Sequence, residues 1–128
     1  NYIKSKINRN LYLQENHPIC IIKEKIYEYF GEEVSKIENF PIQVNTKKNF
    51  DDLLIEKNHP SRSKSDTYYI DEENVLRTHM TCHVGYILQN LKNNNNFLFT
   101  GDVYRKDEID STHFPVFHQM DGLFILKT

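Results

Sequence analysis

Gly101–Gly122 reads GDVYRKDEIDSTHFPVFHQMDG, and this stretch decides what kind of fold the chain adopts. It sets an arginine at the end of an apolar strand pattern, then a polar loop with a histidine. A second strand follows, in which an aromatic ring, an amide and a carboxylate alternate. Side chains two apart on a strand share a face. Phe97, Phe99, Gly101, Val103 and Arg105 therefore form one row. Phe117, Gln119, Asp121 and Leu123 form another, with Val116, His118, Met120 and Gly122 on the opposite side. The polar connection around Lys106–Phe114 suits an antiparallel hairpin with a long loop. An arginine pointing off a sheet face is costly to desolvate unless an anion meets it. With Arg105 on the side of Phe117, Gln119 and Asp121, one surface offers a cation, a flat ring, an amide and a carboxylate. Such a set can receive a nucleotide and an amino acid together. Arg105 takes phosphate oxygens bidentately, Phe117 lies against a purine, and Gln119 and Asp121 accept from an ammonium group.

Working outward, Pro18–Phe30 has the pattern of an amphipathic helix with proline in its first turn and Gly31 at its end. Its apolar stripe is expected at Ile19, Ile22, Ile26 and Phe30, with Lys23, Glu24 and Glu28 outside. Short strands are expected at Pro41–Val44, Thr67–Ile70 and Asn74–Leu76, with a turn-rich loop at His59–Ser65. Thr81 reads as the N-cap of a helix running to about Leu91, its apolar stripe being Val84, Ile87, Leu88 and Leu91. Helices interleaved with hairpin strands argue for an α+β fold around an antiparallel sheet.

A length of 128 residues fits one domain or part of one. A net charge of −2 announces no global basic field for nucleic acid, so any such contact is local. Cys20 and Cys82 form no CxxC pair, and a reduced compartment is the simpler reading. No apolar run approaches membrane-spanning length. Asn1–Asn10 is basic without acids and is either the end of a transit peptide or a loop. The Asn93–Asn96 tract reads as surface filler. His79, Cys82 and His83 lie close together, yet no HExxH or second ligand pair accompanies them, so no metal site is expected. There is no GxSxG, P-loop or GxGxxG, so phosphate must be bound on a sheet surface.

The hairpin resembles motif 2 of class II aminoacyl-tRNA synthetases, in the form found in the phenylalanyl-tRNA synthetase family. Four further segments resemble that family in order: HPICIIKEKIYEYF at His17–Phe30, NFDDLLIEKNHPSRSKSDTYYI at Asn49–Ile70, VLRTHMT at Val75–Thr81 and FHQMDG at Phe117–Gly122. The HPSR, DTYYI and GDVYRKDEIDSTH wording is closest to the organellar, single-chain form, and the α subunits match less well.

The resemblance implies a class II synthetase-like antiparallel sheet flanked by helices. Residues 17–128 would supply the motif 1 region and motif 2 of an incomplete catalytic domain, after an N-terminal extension at 1–16. Motif 1 usually sits at a dimer interface in that family. Motif 3 and any anticodon-binding domain are expected beyond Thr128, and the piece alone is expected to be inactive. The implied activity joins phenylalanine and ATP, with Mg²⁺, into an adenylate and passes it to tRNA(Phe). Arg105 would contact the α-phosphate as the catalytic cation, Phe117 would stack on adenine and His113 would meet the triphosphate. Asp107 either meets the adenine amino group or is an ordinary loop acid. His79 and Thr81, from the His79-Met80-Thr81 turn, would contact the amino acid, and Gln119 and Asp121 would accept its ammonium. Asp121 departs from the bacterial-type pattern, which has the longer glutamate there. Arg77 is expected to be structural, Arg62 and Ser61 supporting, and His17, His59 and His118 satisfied structural histidines. The expected setting is organellar, mitochondrial or plastid, with a cytoplasmic one left open. The partner state would be a monomer for the organellar type or a β-subunit complex for the α-subunit type. The alternatives are a non-catalytic relative acting as a binding module and, more remotely, a metal-dependent hydrolase.

Overall fold

The computed structural model describes residues 2–91, 94–106 and 110–126. The long hairpin is its spine. Strand β4 (Asn96–Tyr104) pairs antiparallel with β5 (Val116–Phe124), in a register that sets Phe99 opposite Asp121, Gly101 opposite Gln119 and Val103 opposite Phe117. The polar loop closes it, with the Arg105 N–H donating to the Pro115 carbonyl at 3.0 Å. Strand β1 (Ser35–Ile37) adds to the free edge of β4 in parallel, giving a three-stranded sheet in the order β1-β4-β5. A second, two-stranded antiparallel sheet joins β2 (Gln43–Asn45) to β3 (Asn74–Leu76). The Thr67–Ile70 stretch forms no strand; it contributes a single bridge, Tyr69 to Val75.

The hairpin has two unlike faces. On the odd-numbered front face, Phe99 and Val103 pack with Met80 and Ile87, flanked by Phe40, Phe97, Phe117 and Leu123. Ile87 comes from helix α3 (Val84–Gln89), which follows a 3-10 turn at Thr81–His83. On the even-numbered back face, Leu98 packs with Tyr27, Val34 and Met120. The Tyr27 hydroxyl lies 2.7 Å from Thr100 Oγ1, and His118 Nδ1 lies 2.6 Å from Asp102 Oδ1.

Tyr27 belongs to helix α1 (Pro18–Phe30), which has the expected bounds and caps. His17 Nδ1 accepts the Ile19 N–H at 3.1 Å, and Gly31 leaves the helix at φ 77°, a left-handed conformation that suits glycine. The face it buries is not the expected one. Cys20, Lys23 and Tyr27 point inward, whereas Ile22 (57% exposed), Ile26 (36%) and Phe30 (40%) face out. The cause is the polarity of the seat: Glu38 and Thr100 line it, so it accepts a lysine and a tyrosine hydroxyl. Lys23 is ion-paired to Glu38, and its ammonium lies 5.7 and 5.5 Å from the ring centroids of Tyr12 and Tyr27. A buried ammonium is tolerated when it is paired and covered in this way. Among the described residues no helix is long and apolar enough to cross a membrane.

Between the two sheets lies Arg77, 1% exposed. Its Nε donates to the Asp102 carbonyl at 2.7 Å, and its Nη1 donates to the carbonyls of Phe40 and Pro41 at 2.9 and 3.2 Å. His83 Nε2 stands 3.4 Å from the same nitrogen, and its ring stacks on Phe40 at 4.3 Å with planes 4° apart. Burial, and then the Arg77 charge, push the His83 imidazole down to about 3. It is therefore neutral and can accept from Arg77.

An unfolded histidine titrates near 6.5, so between about pH 3 and 6.5 the unfolded chain binds a proton that the fold refuses. Stability falls as pH drops through that window, with a limiting slope of about 1.4 kcal/mol per pH unit from this residue. Urea midpoints measured from pH 7 down to pH 4 should decline, and His83→Gln, which keeps an acceptor for Arg77, should flatten the decline. An unchanged pH profile in that variant would contradict the assignment.

Candidate active site

The front face of the hairpin carries the candidate site. Alternation places Arg105, Phe117, Gln119 and Asp121 on it, and the register sets them in sequence along the strands. The Arg105 guanidinium lies over the Phe117 ring, 5.1 Å from its centroid. Its Nε donates to the Thr78 carbonyl at 3.1 Å, and among the described residues no acceptor takes its terminal nitrogens. Arg105 is thus aimed by one bond and keeps its outer fork for an anion. Phe117 is half-buried, its inner part packed against the front-face core. The ring is both an edge of that core and the platform under the Arg105 guanidinium.

The turn 78–81 lies across the other half of this face. The Met80 N–H donates to Gln119 Oε1 at 3.1 Å, and the Thr81 hydroxyl donates to Asp121 Oδ2 at 2.8 Å. Thr81 therefore does not cap the following helix. Its hydroxyl is drawn to Asp121, and the short 3-10 turn that begins at Thr81 has no side-chain cap. The helix beyond it is shorter than expected, ending at Gln89, and Leu88 is half exposed.

The turn is held from below by Asn49, a fully buried residue at the end of helix α2 (Thr46–Asn49). Its Oδ1 accepts the Thr78 N–H at 3.2 Å, its Nδ2 donates to Thr78 Oγ1 at 3.0 Å, and its carbonyl accepts from His79 Nε2 at 2.9 Å. With the proton on Nε2, His79 Nδ1 is a bare acceptor, buried and without a hydrogen-bond partner. Burial holds the His79 imidazole below its ordinary value, so it is neutral. A buried acceptor left open in this way is a candidate for a ligand donor.

A cleft of about 270 Å³ opens beside His79 and Arg105, bounded by Thr78, Ser61, Asp66 and Thr67. A larger hollow, about 750 Å³, lies between Phe40, Val44 and Cys82, but no carboxylate or arginine lines it. The smaller cleft brings His79 and Arg105 together, beside the face that carries Gln119 and Asp121.

His113 sits in the exposed loop, where it engages Thr112 and Asp110, with its Nδ1 3.0 Å from Asp110 Oδ1. Backbone and side-chain donors of Thr112 and His113 hold the Asp110 carboxyl below the usual range. Asp107 lies outside the described residues. Arg62 supports the loop as expected: it pairs with Asp51 at 2.7 Å, donates to the Ile55 carbonyl and lies over the Phe50 ring. His59 accepts the Ser61 N–H at 3.1 Å, and His17 and His118 are likewise partnered. Asn49 was not foreseen. Nothing in the run Lys47-Lys48-Asn49 separates it from a surface amide, because its partners are nearly thirty positions away. Among the described residues, no group of three or more His, Cys, Asp or Glu side chains gathers to hold a metal.

The chain is similar to known proteins. The sequence model for the class II core domain (F) of tRNA synthetases matches residues 3–128. A phenylalanine–tRNA ligase, chloroplastic/mitochondrial, of Arabidopsis thaliana is 48% identical, over 98% of this chain and 30% of its own length. A phenylalanine–tRNA ligase α subunit of Mycoplasmoides gallisepticum is 38% identical, over 87% of this chain and 33% of its own length. The chain thus spans about a third of the curated relatives it matches. In fold it is similar to the crystal structure of a pyrrolysyl-tRNA synthetase from Desulfitobacterium hafniense, with a TM-score of 0.65 over 82% of this chain and 38% of that one, at 14% identity. The front face of the hairpin, the turn seated on it and the family match over nearly every residue lead to one conclusion: this chain belongs to the class II tRNA synthetase core domain family.

Proposed function

We propose that the protein is a phenylalanine–tRNA ligase and that this chain supplies the amino-acid-activating part of its catalytic core. The observation that carries the proposal is the common face shared by Arg105, Phe117, Gln119 and Asp121, with the turn 78–81 seated across it. The family match and the curated relatives support the same reading.

In the proposed reaction, ATP lies along the hairpin with its adenine against Phe117 and its α-phosphate at the Arg105 fork. Phenylalanine lies beside it, its ammonium held by Gln119 and Asp121 and its carboxylate directed at the α-phosphorus. Thr81 and His79 line the same slot, and the bare Nδ1 of His79 accepts one donor from the amino acid. A carboxylate oxygen attacks phosphorus, the bond to the bridging oxygen breaks, and pyrophosphate leaves with the electron pair. No protein base is required, since the attacking carboxylate is ionised near neutral pH. Negative charge gathers on the nonbridging oxygens, where a preorganised guanidinium acts more strongly on the transition state than on the ground state. In the second step a ribose hydroxyl of tRNA attacks the acyl carbon and AMP departs. Mg²⁺ bound to the phosphates would neutralise part of their charge.

Asp107 and His113 are proposed as further nucleotide contacts, Asp107 with the adenine amino group and His113 with the triphosphate. The organellar assignment rests on the greater identity to the chloroplastic/mitochondrial relative than to the α subunit. A monomer is proposed with it.

Two measurements on the full-length protein test this reading. Arg105→Ala should lower phenylalanine-dependent pyrophosphate exchange by about 10²–10³-fold with the urea midpoint nearly unchanged. Exchange within threefold of the parent would exclude the assigned role. Asp121→Asn should raise KM for phenylalanine by at least about tenfold, through loss of a charge facing the ammonium, with KM for ATP held. An equal change in both constants would remove Asp121 from the amino-acid slot.

A further inference from the structure

Gly101 occupies the middle of β4, on the front face, directly opposite Gln119. Its φ is not positive, so no backbone conformation demands glycine there. Space does. A Cβ at this position would fall 2.1 Å from Arg77 Nη2, 2.9 Å from Arg77 Cζ and 3.1 Å from Met80 Sδ. Ordinary contacts begin near 3.5 Å, so the guanidinium would have to withdraw by more than about 1 Å. It is poorly placed to do so, because Asp102, Phe40 and Pro41 hold it through three carbonyls. Met80 is fully buried and equally confined. Glycine in a strand interior weakens the strand and marks a close approach; here a buried cation and a thioether both land on the sheet.

What lands there also carries the turn. Arg77 and Met80 bracket Thr78 and His79, and the Met80 N–H and Thr81 hydroxyl reach Gln119 and Asp121 from that seat. The height of the turn above the sheet is therefore fixed by how deeply Arg77 and Met80 sink at residue 101. Phe117 belongs to β5 and does not ride on the turn; the backbone of Arg105 is held by the hairpin through Pro115, and only its Nε reaches the turn, at the Thr78 carbonyl.

We propose that Gly101 and Arg77 are positioning residues that set the depth of the slot between the turn 78–81 and β5, and through it the grip of Gln119 and Asp121 on the amino-acid ammonium. The proposal rests on the function proposed above and adds to it the two groups that hold the slot at its working width. A methyl group at residue 101 lifts the turn from the sheet and opens the amino-acid end, while Phe117 and the backbone of Arg105 stay with the hairpin and Arg105 loses at most its Nε bond to Thr78. Displacements of about 1 Å at a reacting centre are worth up to about a hundredfold.

The test compares Gly101→Ala, Arg77→Lys and the double variant in the full-length protein by phenylalanine-dependent pyrophosphate exchange, with urea midpoints measured alongside. Gly101→Ala should raise KM for phenylalanine by about 10- to 100-fold, with KM for ATP within about threefold. On the Arg77→Lys background the slimmer ammonium leaves room for the methyl, so the added effect of Gly101→Ala should shrink at least fivefold. Strict multiplication of the two single effects, a parallel rise in both KM values, or a loss of stability with KM for phenylalanine unchanged would each overturn the proposal. If Gly101→Ala does not fold, Arg77→Lys alone decides: about a tenfold rise confined to KM for phenylalanine supports it, and a change confined to kcat or to KM for ATP refutes it. A parent protein without phenylalanine-dependent exchange removes both the function and this inference, whereas an active parent whose variants show no split removes the inference alone.

Discussion

The structure turns on one buried cation. Arg77 has no carboxylate partner among the described residues; main-chain carbonyls from two separate segments surround it, and a neutral imidazole stands at its edge. Charge taken out of water is costly unless every donor is met. Meeting these donors forces the Phe40–Pro41 segment, the middle of β4 and the turn after β3 into one place. The guanidinium's flat fork makes this possible, since it can address several oxygens at fixed angles. Burial, with this cation beside it, keeps His83 neutral, and the space the guanidinium takes explains why the strand beneath carries no side chain at Gly101.

Around that centre the hairpin divides its labour. On its front face β4 is apolar, where Phe99 and Val103 meet Met80 and Ile87, and β5 beside it carries Phe117, Gln119 and Asp121, with Arg105 just past the end of β4. Its back face meets helix α1 through the Tyr27–Thr100 hydrogen bond and the apolar contacts of Leu98 and Met120, with Lys23 paired to Glu38 close by and His118 bonded to Asp102 across the two strands. Directional contacts behind the sheet fix orientation more sharply than apolar packing does, and orientation is what the front face requires. A site built on paired strands inherits their rigidity. Arg105 is steered by a single bond to Thr78, and the rest of its placement comes from the strand it leaves.

The hairpin was legible because a strand's period is two and its register follows from where the polar loop interrupts it. Counting gives two rows, one ending in Arg105 and one carrying Phe117, Gln119 and Asp121, and the cross-strand register brings the two onto one face. Counting failed where polarity was inverted. The isoleucines of α1 form a regular stripe, yet the helix turns Lys23 and Tyr27 inward because Glu38 and Thr100, far off in sequence, make the seat polar. Thr81 failed for a related reason: a hydroxyl before a helix ordinarily caps it, and here Asp121 competes successfully for the proton. Asn49 was illegible, since an amide that serves a turn nearly thirty residues away leaves no local trace. Arg77 was recognised as structural, but its place over Gly101 follows only from the fold. The expected antiparallel sheet is present as the hairpin, with β1 joined to it in parallel, a pairing that no local pattern announces.

That parallel pairing carries a consequence for how the chain is made. Ser35 meets Phe97, so β1 must wait until a long intervening segment has left the ribosome before its hydrogen bonds can form. Closing so wide a loop is slow, and non-local pairings delay the late steps of folding. The β4–β5 hairpin, by contrast, is local and can zip as soon as it emerges. The nascent chain would then hold α1, with its outward isoleucines, in an unfinished state for the whole interval, a period in which chaperone capture competes with self-association.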